Sequence, residues 1–394
     1  MKHEFLWHTA LILVSIKLVG HLTRKLGQPS VLGKLLVGII LGPAILGILH
    51  PDPWIKDAAE VGVILLMFLA GLETDLGEFK KSVGGATLVA ILGVIIPFAG
   101  GWGVATLYGN AGLTAVFIGV LLVATSVSIS VQTLRELGRL TSREGTTILA
   151  AAVIDDVLGL IVLSVTLGMA SSDGAGLASV GLLLGKIVGF LVVAILVGWY
   201  LLPPLVNWAK SFQVGAPRTA IAIAAALAFG FAAEQFGVAA IVGAYLAGLA
   251  LSAAGHGHDL MNEVESVTFS FFAPFFFVSV GLAANFTGVS GSFWIFALAL
   301  SAVAILTKVI GCGLGAKLAG FSGNSSLGIG AGMVARGEVG LIVASIGLDR
   351  GIIDNAMFTA MIAVALLTTL VTPPLLKAIF KTTTTGPETA TQPD

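Results

Sequence analysis

Long apolar runs alternate with short polar breaks along the whole chain, and most of the runs are as long as a bilayer crossing. A helix needs about 20 mostly apolar residues to cross the hydrocarbon layer. Cutting at polar, glycine and proline breaks predicts thirteen helices, near 5–22, 30–49, 57–74, 84–107, 112–135, 143–170, 179–207, 217–234, 236–253, 263–286, 291–319, 325–347 and 355–380. The pattern is that of an all-α polytopic membrane protein in a lipid bilayer. Lys17 interrupts the first run and no small-residue cleavage site follows, so that run reads as a retained helix and not as a signal peptide. Residues 382–394 carry no large apolar side chain and read as a disordered cytoplasmic tail.

An odd number of crossings puts the two termini on opposite sides. With these cuts Arg24, Lys25, Lys80, Lys81, Arg139, Arg143 and most other basic residues fall on one side, against Lys2, Lys56 and Arg350 on the other. Positively charged loops stay in the cytoplasm. The N-terminus is therefore expected outside and the C-terminus in the cytoplasm.

Short matches relate spans seven apart. Val37-Gly38-x-x-Leu41 recurs as Val242-Gly243-x-x-Leu246, an offset of 205; Gly71-Leu72 recurs as Gly281-Leu282, an offset of 210; Gly119 with Val123-Ala124 recurs as Gly330 with Val334-Ala335, an offset of 211. Seven is odd, so matched helices run in opposite directions. The expected architecture is two inverted six-helix repeats joined by a linker helix at 179–207, as in many secondary transporters.

Composition sharpens this picture. Hydrophobic residues make up 57% of the chain and charged ones 10%, so each charge inside a span stands out. Formal net charge is −1, which gives no field for nucleic acid, and the single cysteine, Cys312, rules out an intramolecular disulfide or a multi-cysteine metal site. Gly311-Cys312-Gly313-Leu314-Gly315 lacks both the preceding strand and the closing Gly-Lys-Ser/Thr of a phosphate loop, and nothing calls for a cofactor.

The charges that stand out are Asp155 and Asp156, adjacent in the middle of the sixth span, and Lys308, alone and deep in the eleventh. An ionisable group at mid-bilayer costs about 2.5–3.5 kcal/mol on insertion scales and usually marks an ion or proton pathway. Neighbouring residues on a helix point about 100° apart, so one carboxylate can face a cavity and the other a counter-charge. Two more spans have anomalous centres. The fifth reads Ala124-Thr125-Ser126-Val127-Ser128-Ile129-Ser130, and the twelfth Met333-Val334-Ala335-Arg336-Gly337-Glu338. Both predict discontinuous helices, whose exposed carbonyls and half-helix ends suit cation coordination, with Arg336 and Glu338 compensating the ends. A structural role for Arg336 and Glu338 as a neutral pair across the break fits the sequence equally well. Carboxylate, hydroxyl and carbonyl oxygens together make a site for a hard monovalent cation or a proton, one excluding the other. His256 and His258, in a predicted cytoplasmic loop, titrate in the useful range but have weaker grounds for a role.

Ala152-Val153-Ile154-Asp155-Asp156-Val157-Leu158-Gly159, Lys308, Ala124-Thr125-Ser126 and Arg336-Gly337-Glu338-Val339-Gly340 resemble the monovalent cation:proton antiporter superfamily, closest to the bacterial sodium/proton antiporters with paired aspartates. The resemblance covers nearly the whole chain. It implies a homodimer in the inner (cytoplasmic) membrane and electrogenic exchange of Na⁺ or Li⁺ for H⁺ by alternating access. It also implies two crossing broken helices in a core domain (spans near 57–170 and 263–347), and a dimerisation domain (spans near 5–22, 30–49, 217–234 and 236–253). Asp156 is then the cation ligand, with Thr125 and Ser126 adding oxygens, and Asp155 pairs with Lys308 when the site holds no metal. One departure is Ala335, where close relatives are expected to carry proline. K⁺ in place of Na⁺ is the main alternative. An aspartyl protease would need carboxylates from two facing helices; a cation channel would be excluded by turnover that saturates with cation and drives protons uphill.

Overall fold

The computed structural model describes residues 4–170, 176–283 and 291–380; the tail predicted at 382–394 lies outside them, as do the side chains of His258 and Glu338. Every regular element among the described residues is helical. In chain order the helices are α1 (Glu4–Lys25), α2 (Ser30–Leu41), α3 (Pro53–Glu73), α4 (Leu76–Leu107), α5 (Gly112–Val123), α6 (Val127–Glu136), α7 (Arg143–Ala170), α8 (Gly176–Tyr200), α9 (Leu202–Trp208), α10 (Pro217–Gln235), α11 (Ala240–Ala253), α12 (Gly257–Val267), α13 (Ala273–Leu282), α14 (Gly291–Leu318), α15 (Gly323–Gly332), α16 (Glu338–Asp349) and α17 (Asn355–Ile379). Among the described residues, nine helical stretches are long and apolar enough to cross a membrane, counting α5 with α6, α8 with α9 and α12 with α13 as one each.

Several predicted spans are shorter or more divided than the sequence suggests. The second stops at Leu41 because Gly42-Pro43 follows, and the ninth starts only at Ala240, after a turn at Gly237 with positive φ. Pro203-Pro204 splits α9 from α8. The tenth is divided into α12 and α13 by a π segment, Thr268–Phe272. Pro274 brings no N–H to the preceding turn, and the widened backbone presents the Phe269 carbonyl to Lys17 Nζ of α1 at 3.1 Å. Lys17 thus ties α1 to the π segment between α12 and α13.

The helices sort into two packing sets, α1–α3 with α10–α13 and α4–α7 with α14–α17, while α8 touches both through α7 and α11. Equivalent contacts recur in the two halves. A Cβ on Gly38 (α2) would stand 2.8 Å from Gly281 Cα (α13); a Cβ on Gly248 (α11) would stand 3.0 Å from Gly71 Cα (α3). The partners in the two contacts are related by 210 residues. Likewise Gly119 abuts the Phe98 carbonyl as Gly330 abuts that of Val309, related by 211. The 205-residue match of Gly38 with Gly243 is thereby corrected. Gly243 packs on Phe229 as Gly33 packs on Val19, again at 210. Close backbone approach, possible only without a side chain, sets the register here.

Candidate ion-binding site

The fifth and twelfth spans are both interrupted. Residues 124–126 separate α5 from α6, and residues 333–337 separate α15 from α16. The two breaks touch, because the Ser126 amide donates to the Ala335 carbonyl at 2.7 Å and the Ser130 hydroxyl to that of Gly332. The second break has alanine and not proline at 335, and bonds between the two breaks help hold the unwinding.

Arg336 supplies others. It is almost fully buried, and its guanidinium donates to the carbonyls of Val334 (3.0 Å), Leu122 (2.6 Å) and Ala304 (3.3 Å). Leu122 lies in the last turn of α5, where helix carbonyls lack partners and carry partial negative charge, so Arg336 caps that half-helix. Thr368 and Thr369 of α17 bind its backbone N–H and C=O. Arg336→Met leaves several buried carbonyls without donors and is expected to cost at least about 2 kcal/mol. Thermal melting of the purified protein checks this. Arg336→Lys should recover little, since an ammonium lacks the planar fork that reaches separate carbonyls.

Asp155 and Lys308 meet in the interior. Lys308 Nζ lies 2.9 Å from Asp155 Oδ1 and 3.2 Å from Oδ2, with the two side chains 0% and 1% exposed. A pair so dry is tolerable only when its remaining hydrogen-bonding capacity is filled. Beside the pair the Thr125 hydroxyl donates to the Val123 carbonyl at 3.3 Å, and Lys308 Nζ also donates to the Gly93 carbonyl at 2.8 Å. That carbonyl is available for a local reason. Pro97 sits inside α4 four residues later and has no N–H to return to it. Glycine at 93 also keeps the approach open, since a Cβ there would strike Cys312 Sγ at 2.5 Å. Gly93 and Pro97 escaped the sequence reading, although a proline within an apolar span was the available signal.

Asp156 is half-buried and lines a cavity of ≈ 300 Å³ with Thr125, Asp155, Gly159 and Glu234. A larger cavity of ≈ 840 Å³ adjoins it, sharing Glu234, Ala239, Val339 and Ile342, and runs between the two packing sets past Glu60. Ser126 is fully buried at the break. The structure therefore brings Asp155, Asp156, Lys308, Thr125, Ser126 and Arg336 around the two breaks. His256 lies apart, near Lys210, Arg218 and Asp259, where burial first and the Lys210 charge second hold its pKa below the ordinary imidazole value.

An interrupted helix pair around a buried carboxylate–lysine pair and a second carboxylate on a cavity defines an ion-coupled membrane transporter. The family described as "Sodium/hydrogen exchanger, transmembrane" matches residues 10–382, and the chain belongs to it. It is 46% identical to the Na⁺/H⁺-K⁺ antiporter GerN of Bacillus cereus over 96% of this chain and 97% of that protein. It is 41% identical to an Na⁺/H⁺ antiporter of Enterococcus hirae over 96% and 98%. The sodium proton antiporter MjNhaP1 of Methanocaldococcus jannaschii shares the fold with a TM-score of 0.69 at 19% identity, covering 96% of this chain and 98% of that one.

Proposed function

We propose that the chain is a secondary active, electrogenic sodium (lithium)/proton antiporter in which cation and protons compete for the Asp155–Asp156 pair. The observation that carries this reading is Asp156 on a cavity at the helix breaks, one residue from a carboxylate already paired with a buried lysine. Asp156 with Thr125 takes the dehydrated cation, and Ser126 lends the break its oxygen. Asp155 releases Lys308 as the cation arrives and recovers it when the cation leaves. Exclusion of one charge carrier by the other couples the two fluxes, provided the site faces only one side at a time.

The recurrent contacts at offsets of 210 and 211 support two inverted halves, and the two packing sets support a moving core against a scaffold. We assign α4–α7 and α14–α17 to the core. This moves the third and tenth spans to the scaffold, because α3, α12 and α13 pack with α2, α10 and α11. The scaffold is the dimerising part of a homodimer in the inner membrane, with the N-terminus outside and the C-terminus in the cytoplasm. The distribution of basic residues supports that orientation.

In everted vesicles acidified by respiration, Na⁺ and Li⁺ are expected to release the proton gradient reported by a pH-sensitive dye. No response to any alkali cation would overturn the reading. K⁺ belongs in the same experiment, since the name of the Bacillus cereus relative includes it.

A further inference from the structure

The sequence leaves Arg135 and Glu136 as ordinary charges at a helix end. The structure gives them a more particular position. They close α6, the half-helix that starts at the break beside Asp156, and each reaches out of its own packing set. Glu136 accepts from the Ser30 amide at 2.6 Å and from the Ser30 hydroxyl, and lies 3.8 Å from Lys34 Nζ. Ser30 is the first residue of α2, which follows Pro29 and has no capping side chain of its own. Glu136 thus serves as the missing N-cap, a carboxylate at the positive end of a helix in the other set. Arg135 donates at 3.1 Å to Glu73 at the end of α3 and at 3.1 Å to Glu265 of α12. One end of one core half-helix therefore binds three scaffold helices, in a largely sheltered place where charge-assisted bonds are strong.

The face of α6 behind this contact is polar. Ser128, Gln132 and Glu136 follow at helical spacing of four, so they share one side. Gln132 Nε2 donates to Glu136 Oε1 at 3.1 Å, and both line a cavity of ≈ 360 Å³ between the sets. Ser128 is fully buried, and its hydroxyl has no hydrogen-bond partner among the described residues. A buried hydroxyl without a partner is costly in a membrane core. It has a use when the helix face becomes wetted as the sets part. At the opposite end the sets are already separated by the cavities that reach Asp156.

We infer that Arg135 and Glu136 form the gate that shuts the cytoplasmic side of the ion site, and that the Ser128–Gln132–Glu136 face is the polar wall of the passage they seal. This rests on the antiport reading for its transport consequence and on the proposed orientation for its side. A ligand that sees only a fraction of its competent state binds more weakly by that fraction. Loosening the gate therefore raises the share of inward-facing protein.

In everted vesicles, which expose the cytoplasmic face, Glu136→Gln is expected to lower the apparent KM for Na⁺ about tenfold relative to the KM measured in right-side-out vesicles. Equal change on both faces, or none, overturns the gate. A second measurement needs no transport. Ser128→Cys in a Cys312→Ser background should react with a membrane-impermeant maleimide from the cytoplasmic face severalfold faster when Glu136→Gln is added. An unchanged labelling rate also overturns it. Arg135→Gln acts on the other two contacts and should give the same labelling result if the Glu136 variant does not fold. Absence of cation-driven proton movement in the native protein would refute the antiport reading alone, because the labelling would still report the gate.

Discussion

Asp156→Asn is expected to abolish Na⁺-induced proton movement in everted vesicles while the protein remains in the membrane at ordinary abundance. The amide is nearly isosteric, keeps one carbonyl oxygen toward the cavity and removes both the negative charge and the titration. A dehydrated monovalent cation is then left with dipoles alone, and a proton has no carboxylate to occupy. Rate loss should exceed about a hundredfold, since a charge-assisted partner and the proton carrier disappear together. The measurement is dye fluorescence on addition of Na⁺ and Li⁺, with abundance checked by immunoblot. Substantial remaining exchange would move the cation to another ligand. The assignment also requires Asp156 to keep its cavity, which it shares with Thr125 and Glu234.

Lys308→Ala is expected to be the most destabilising single change in the core. It leaves Asp155 buried opposite an empty space and the Gly93 carbonyl without a donor. Breaking a buried pair from one side costs about 3–5 kcal/mol, whereas removing both charges is often nearly neutral. The melting temperature of the purified protein should fall sharply for Lys308→Ala and recover in large part when Asp155→Asn is added. A double variant as unstable as the single one would show that the lysine acts through packing. Lys308→Gln, closer in shape, separates stability from transport. It should shift the pH profile of exchange or remove its response to voltage, and an unchanged profile would end the proposed exchange of partners.

The charges at the centre were legible because the surrounding spans are so apolar. Asp155, Asp156 and Lys308 have no neighbours with which to form a surface cluster, and lipid depth makes each of them expensive. The breaks were legible too, as hydroxyls in one span and glycines with charges in another. What holds them was not. Arg336 was expected either to compensate a half-helix end or to pair with Glu338; that its guanidinium reaches carbonyls on α5, α14 and its own loop is a choice made by the tertiary fold. The repeat register failed at Gly38 because a match of three residues in five carries less information than a packing contact, which constrains two helices at once. Helix lengths failed where Pro43 and Pro203 act. Glu136 stayed unremarked because capping another helix across 106 positions of sequence leaves no local pattern.

Pro97 has a consequence for the working cycle. By withholding an amide from the Gly93 carbonyl, it gives the lysine ammonium a resting point that never titrates. In the proposed exchange, where a proton neutralises Asp155, the ammonium would keep a dipole to lean on and need not swing toward acyl chains or drag water inward. In the proposed cycle each return stroke then begins with the side chain already parked beside its old counter-ion, and re-pairing is a local adjustment rather than a search.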